Sequence, residues 1–311
     1  MFAGTDDSDM LTDQPPPRFG ELSKLLPVSV VVGTIMFLYI EYVYLHCMRL
    51  LQLDLPLRAR KTDEVNRAYI EMVVFHVLTG LLLYCLGRCI LTDAGAIPAD
   101  GTWDLKPEFE QERNNPRGSS GSLKLIEVKQ SSGERRHCKW CLKYKPDRCH
   151  HCRICNTCVL RMDHHCPWVY NCVGFRNHKY FFLLLLYAVL DLVFITFMMF
   201  DSVWWSTRTD VSIALMLIMA SGYAFTLFLT VISTTFLGFH TWLMVKAMTT
   251  VEFCEKSLKN QGYNSSRYNH GLFKNICLTL GPQPAFWFLP ISLPEGEGIS
   301  WSGLTPPGAT G

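Results

Sequence analysis

Charge is scarce in this 311-residue chain, in which only 18% of residues are Asp, Glu, Lys or Arg and 49% are hydrophobic. That balance is more apolar than an ordinary soluble protein and argues against the two soluble domains that length alone would suggest. Neither sign of charge is in excess. With 29 basic and 27 acidic residues the net charge is +2, so the total points to no class of charged partner. The first twenty residues lack an apolar core and carry Asp6, Asp7, Asp9 and Asp13, so a cleaved secretory signal is not expected. No internal repeat is visible, and no ankyrin array that would dock a partner. From Val211 to Val245 there is no Asp, Glu, Lys or Arg at all.

The apolar residues are gathered into four blocks, at about 26–48, 69–91, 180–204 and 211–245. A helix needs roughly 20 mostly apolar residues to cross a bilayer, and each block supplies them. The first is too long for a signal-peptide core and reads as a signal anchor; the fourth has residues to spare, which tilt or an extension beyond the membrane would absorb. The fold expected is therefore an all-α integral membrane protein with four transmembrane helices. Four crossings put both termini on one side. The loop at 92–179 carries fifteen Lys and Arg, and the tail adds Lys246, Lys256, Lys259, Arg267 and Lys274. The opposite loops hold five (49–68) and one, Arg208. Positive charge favours the cytosol, so the termini and the long loop are expected there. The expected division is a tail at 1–25, helices at 26–91, the loop at 92–179, helices at 180–246 and a tail at 247–311. The polar stretch 111–136 reads as a flexible lead-in, and the Pro-, Gly- and Ser-rich stretch after Pro290 as poorly ordered.

Of thirteen cysteines, eight lie between Cys138 and Cys172. Cys-x2-Cys spacings with interspersed histidines favour metal ligands in a reducing compartment over disulfides. The run is Cys138-x2-Cys141, Cys149, His151, Cys152-x2-Cys155-x2-Cys158, then His164, His165, Cys166 and Cys172. Three overlapping pairs imply more than one tetrahedral Zn²⁺. Counting alone leaves the chemistry open, because eight cysteines could fill two all-cysteine sites and leave no nucleophile. The other five (Cys47, Cys85, Cys89, Cys254, Cys277) lie in or beside apolar segments and read mostly as packing residues.

The residues Cys138, Cys141, Lys145, Pro146, Arg148, His151, Cys152, Cys155, Cys158, Val159, Met162 to Trp168, Asn171, Cys172 and Gly174, continuing through Asn177, His178 and Phe181, follow one pattern over some 45 positions. It closely resembles that of the DHHC protein acyltransferase family. The resemblance implies a small, hairpin-rich two-zinc module at about 136–179, between helices 2 and 3. It implies one structural Zn²⁺ on Cys138, Cys141, His151 and Cys158, and a second on Cys152, Cys155, His165 and Cys172. Cys166 is then outside both sets, as is Cys149, which reads as incidental; His137 and His150 read as surface residues. In an extended segment alternate residues share a face, so His164 and Cys166 can face a reaction centre while His165 turns toward metal. By resemblance Cys166 is the nucleophile, His164 its base, and Asp163 the acid that orients the imidazole. The implied reaction moves a palmitoyl group from acyl-CoA to cysteines of membrane-associated proteins, on the cytosolic face of the Golgi, ER or plasma membrane.

Three further stretches fit the family. Thr249-Thr250-Val251-Glu252 matches its Thr-Thr-x-Glu motif, expected to support the catalytic module; Asn275 matches an asparagine that braces backbone near the membrane; and Asp93-Ala94-Gly95 stands where Asp-Pro-Gly is common, which leaves that turn open. Trp168, Asp191, Arg148 and Lys179 are candidates for the acyl cavity or for CoA phosphates. Glu41, Glu71, His76 and Asp191 fall at membrane depth, where an ionisable group is costly and faces protein or water. Trp204, Trp205, Trp242, Phe286, Trp287 and Phe288 read as interfacial anchors. Two other readings are a catalytically silent zinc scaffold in the membrane and a RING-like ubiquitin ligase; nucleic-acid binding is disfavoured by the membrane tether.

Overall fold

The computed structural model describes residues 25–105, 135–257, 267–291, 294, 296–299 and 301. The expectations for 1–24, for the lead-in at 111–134 and for most of the tail after Pro290 fall outside them. Four helices are long and apolar enough to cross a membrane: α1 Leu26–Leu51, α2 Thr62–Leu91, α3 His178–Ser206 and α4 Ile213–Val245. A shorter α5, Leu272–Leu280, follows.

Three of the helices outrun their apolar blocks. α2 starts seven residues earlier than expected because Asp63 and Glu64 sit in its first turn, where the helix dipole favours acid groups. Ser212 caps α4 by accepting the Leu215 N–H at 3.3 Å. α1 carries a π-helical segment over Glu41–Cys47, a wider turn of the kind that re-aims side chains. Here it turns Glu41 onto α4. The Glu41 carboxyl lies directly against Gly222 of that helix.

At the end of the bundle away from the cysteine-rich module, the polar groups of three helices are joined. His46 Nε2 lies 2.7 Å from Glu71 Oε2 and His46 Nδ1 2.7 Å from Ser202 Oγ. Arg67 bridges Glu71 at 2.5 Å and Asp201 at 2.7 Å. Glu71 is the buried centre of this network, and removing it leaves the buried His46 and the half-buried Arg67 without that partner. Glu71→Ala is expected to cost about 3 kcal/mol, read as a lower midpoint of thermal unfolding in detergent.

The segment between α2 and α3 folds into three two-stranded antiparallel hairpins: β1–β2 (His137–Cys138 with Lys143–Tyr144), β3–β4 (His150–Cys152 with Thr157–Val159) and β5–β6 (His164–Cys166 with Asn171–Val173). Strands this short do not persist alone, so their hold on one another must come from elsewhere. Part of it is the helix ends. Asn171 Nδ2 donates to the carbonyls of Cys89 and Thr92 at 2.8 Å each, tying β6 to the end of α2. The Asp93-Ala94-Gly95 turn forms without its proline: Asp93 Oδ1 accepts the Gly95 N–H at 2.8 Å, and Gly95 takes φ 103°, a region open to glycine.

Two of the described residues after Pro290 depart from expectation. Ile299 and Trp301 are buried in a cluster with Trp103, Cys149, Leu160, Phe175 and Tyr268. Composition there favours disorder, but two apolar side chains join the core of the module and are held by packing.

Candidate functional site

The hairpins interleave to build two Cys₃His clusters. Within Cys138, Cys141, His151 and Cys158, and within Cys152, Cys155, His165 and Cys172, the ligand atoms all lie within 4.8 Å of one another. The register explains it. Each cluster takes the Cys-x2-Cys turn of one hairpin and a cross-strand pair of the next. His151 pairs with Cys158 across β3–β4, and His165 with Cys172 across β5–β6. The middle hairpin thus serves both clusters, since neighbours His151 and Cys152 point to opposite faces.

The spacing suits a metal ion. His151 Nδ1 is 3.5, 3.2 and 3.9 Å from the sulfurs of Cys138, Cys141 and Cys158. His165 Nδ1 is 3.7, 3.4 and 3.6 Å from those of Cys152, Cys155 and Cys172. A tetrahedral ion with bonds of ~2.3 Å to sulfur and ~2.0 Å to nitrogen separates S and N by about 3.5 Å. The Cys-x2-Cys turns are already shaped for this. Cys141 N–H and Cys155 N–H each donate to the sulfur three residues back at 3.4 Å, with Leu142 and Asn156 in the left-handed region after them. No cysteine among the described residues is in a disulfide. Cys149 is wholly buried in the adjoining core and belongs to neither cluster.

On β5, His164 and Cys166 lie on the face opposite His165. His164 Nδ1 is 2.6 Å from Asp163 Oδ2, and Asp163 is fully buried. Asp163 is held from a second side, by Thr250 N–H to Oδ1 at 2.9 Å and Thr250 Oγ1–H to Oδ2 at 2.8 Å. Burial alone would raise the Asp163 pKa, but its bond to His164 and the nearby histidines hold it well below the usual carboxylate range. Burial opposes charge on His164 as well, yet its hydrogen bonds to Asp163 and Cys166 and their charges lift its pKa to about 9. The imidazole also packs edge-on to Phe181, 5.1 Å between centroids.

The Thr249–Glu252 segment forms a capping box: Thr249 N–H donates to Glu252 Oε2 at 2.9 Å and Glu252 N–H to Thr249 Oγ1 at 3.2 Å. Glu252 also accepts both Arg148 Nε and Nη2, at 2.6 and 2.7 Å. Arg148 is fully buried. It therefore does not reach outward to CoA phosphates, contrary to the expectation, because the pair with Glu252 turns it inward. Lys179 is likewise buried, its Nζ donating to the Phe286 carbonyl at 2.7 Å. Asn275 Nδ2 donates to the Val245 carbonyl at 2.7 Å, closing the end of α4.

Cys166 faces an apolar cavity of about 490 Å³ that runs among all four long helices. Trp168 and Val169 share its mouth; Tyr39, Phe75 and Ile195 lie farther along. Asp191 lines it too, and accepts the Thr79 Oγ1–H at 3.0 Å. The sequence reading passed over His240, which is buried on α4 with its ring 6.0 Å from that of His164. Its signal was present: a histidine inside an otherwise uncharged block. His178, buried near the Asp163 carboxylate, had only its place in the family pattern to mark it.

Comparison with known proteins agrees with this arrangement. The family model for the DHHC palmitoyltransferase matches residues 131–257, which contain all three hairpins. Palmitoyltransferase ZDHHC2 of Rattus norvegicus is 30% identical over 252 residues, covering 77% of this chain and 68% of that protein. ZDHHC2 of Homo sapiens is 31% identical over 252 residues (77% and 67%), and palmitoyltransferase ZDHHC15 of Xenopus laevis 31% identical over 291 residues (89% and 81%). Likeness of that extent reaches past the hairpins into the helices on either side, and the chain belongs to the DHHC palmitoyltransferase family.

Proposed function

We propose that this protein transfers a long-chain acyl group, palmitoyl, from acyl-CoA to cysteine thiols of membrane-associated proteins through a thioester on Cys166. The observation that carries the reading is the meeting of Cys166 with two things at once, the Asp163–His164 pair and the apolar cavity between the helices. Cys166 Sγ, its proton passed to His164, attacks the thioester carbonyl. The CoA sulfur leaves and takes that proton back, giving free CoA and acyl-Cys166. An incoming cysteine then gives its proton to His164, attacks the new thioester and carries off the acyl group, and Cys166 recovers the proton. With Nδ1 of His164 engaged by Asp163, Nε2 is the nitrogen that exchanges protons. Both thioesters are of similar energy, so positioning and a good nucleophile suffice.

Trp168 and Asp191 belong to the acyl cavity in this reading. The two clusters hold structural Zn²⁺, which fixes the hairpins; four protein ligands each leave no position for water. In this reading Cys166 lies at the cytosolic face of a Golgi, ER or plasma membrane, with the CoA headgroup in the cytosol; the basic loop and tail support that side.

Full-length protein in detergent, incubated with palmitoyl-CoA, is expected to gain one palmitoyl mass that hydroxylamine removes. Intact protein of unchanged mass would sink the reading. Thr250→Val keeps the backbone N–H bond to Asp163 and loses the hydroxyl one. A hydrogen bond to a charged group contributes about 1.5–3 kcal/mol, so the adduct is expected to form at least about tenfold more slowly, with bound zinc unchanged.

A further inference from the structure

Trp301 lies 44 residues beyond the end of the family match at 257 (301 − 257), in the stretch expected to be unstructured. It is 4% exposed. Its indole Nε1 is buried with no hydrogen-bond partner among the described residues, so what retains the side chain among them is its ring. That ring lies against two buried cations, 4.9 Å from the Arg148 guanidinium and 5.7 Å from that of Arg161. Among the described residues it is the one aromatic side chain set against both. Tyr268 approaches Arg148 alone, at 4.5 Å, and meets Trp301 edge-on at 6.4 Å; Phe175 does so at 6.3 Å.

Two guanidinium groups in one dry cluster repel each other, and charges this deeply buried are stable only with full compensation. Burial and the Arg148 charge lower the Arg161 pKa to about 9. Arg161 is anchored by the Leu278 carbonyl at 2.6 Å and by Thr279 Oγ1 at 3.1 Å, neither of them charged. Arg148 takes the Ala247 carbonyl at 2.7 Å and the carboxylate of Glu252. The ring of Tyr268 over Arg148, the Glu252 and Asp163 charges near Arg161, and the negative face of the Trp301 indole across both together offset that cost. From Arg148 the contacts continue without a gap: Glu252 closes the cap on Thr249, the next residue Thr250 grips Asp163 by two bonds, and Asp163 holds His164.

We propose that Trp301 is a positioning residue for acyl transfer: by covering Arg148 and Arg161 it keeps the Arg148–Glu252 pair closed, and so keeps Thr250 on Asp163. Trp301 thereby acts on the catalytic module at a distance from Cys166 and without touching substrate. This rests on the acyl-transfer reading above.

The test uses full-length protein in detergent with palmitoyl-CoA, and reads the maximal rate of adduct formation, the half-saturating palmitoyl-CoA concentration and bound zinc. Trp301→Ala is expected to lower the maximal rate about tenfold, as loss of a desolvated cation–π contact predicts, with half-saturation and zinc unchanged. Trp301→Phe restores most of the rate. Because both changes act on one chain of contacts, Trp301→Ala combined with Thr250→Val falls little below Thr250→Val alone. The inference is overturned by a Trp301→Ala rate equal to wild type, by losses that multiply in the double variant, or by zinc lost in parallel with rate, which would make Trp301 a folding residue only. Failure of the wild type to form any adduct would strike the acyl-transfer reading itself, and is thus distinguishable.

Discussion

Cys166→Ser will abolish the hydroxylamine-sensitive palmitoyl adduct and all acyl transfer to acceptor cysteines, while the protein keeps two bound metal ions. The chemical half of this expectation rests on the nucleophile. Sulfur is a strong nucleophile toward a thioester carbonyl, whereas a serine hydroxyl at the same place is a far weaker attacking group. The structural half rests on where the sulfur lies. Cys166 belongs to neither Cys₃His set; it lines the cavity mouth with Trp168 and Val169. Serine is close in size, so the wall of the cavity and the β5–β6 pairing stay as they are. Intact-mass measurement with palmitoyl-CoA and metal analysis of the same sample decide both halves. A variant that retains the adduct would move the nucleophile to another cysteine. A variant with one metal ion would make Cys166 a ligand and revive the RING-like reading.

Much of the site was legible because it is written in local spacing. Cys-x2-Cys turns and period-two alternation decide which side chains share a face within three or four residues, and the observed split of His164 and Cys166 from His165 follows that alternation. Membrane helices were legible for the same kind of reason, a long uninterrupted apolar run. What could not be read are facts set by distant partners. Arg148 is basic and sits in the zinc module, and on sequence it is as good a phosphate contact as any. Its fate is decided by Glu252, 104 residues later, which draws it inside. Lys179 is withdrawn in the same way by a backbone carbonyl at Phe286. The order at Ile299 and Trp301 depends on a receiving surface built from Tyr268, Phe175 and two arginines, none of which is near in sequence. The Thr-Thr-x-Glu motif shows both behaviours: the cap between Thr249 and Glu252 is local, but the grip of Thr250 on Asp163 spans 87 residues.

Cys172→Ser, six residues from Cys166, is expected to have the opposite signature: loss of metal first, and of activity because of it. Cys172 pairs across the strands with His165 and closes the cluster with Cys152 and Cys155. A serine oxygen does not replace a thiolate on zinc. The stake is large, since structural zinc in small modules contributes about 10–16 kcal/mol of apparent binding energy that doubles as folding energy. Here the strands are two or three residues long, so an ion held by His165 and Cys172 would be a principal tie on β5, and β5 carries His164 and Cys166. Damage should spread, because the β3–β4 hairpin supplies Cys152 and Cys155 to the broken cluster and His151 and Cys158 to the intact one. The expected result is a metal content of one ion or fewer per chain, no detectable adduct, and early unfolding on heating. A strong chelator should bring wild-type protein to the same state, with activity falling in step with released metal. Full activity in a Cys172→Ser sample that has lost an ion would refute the structural role given to that cluster.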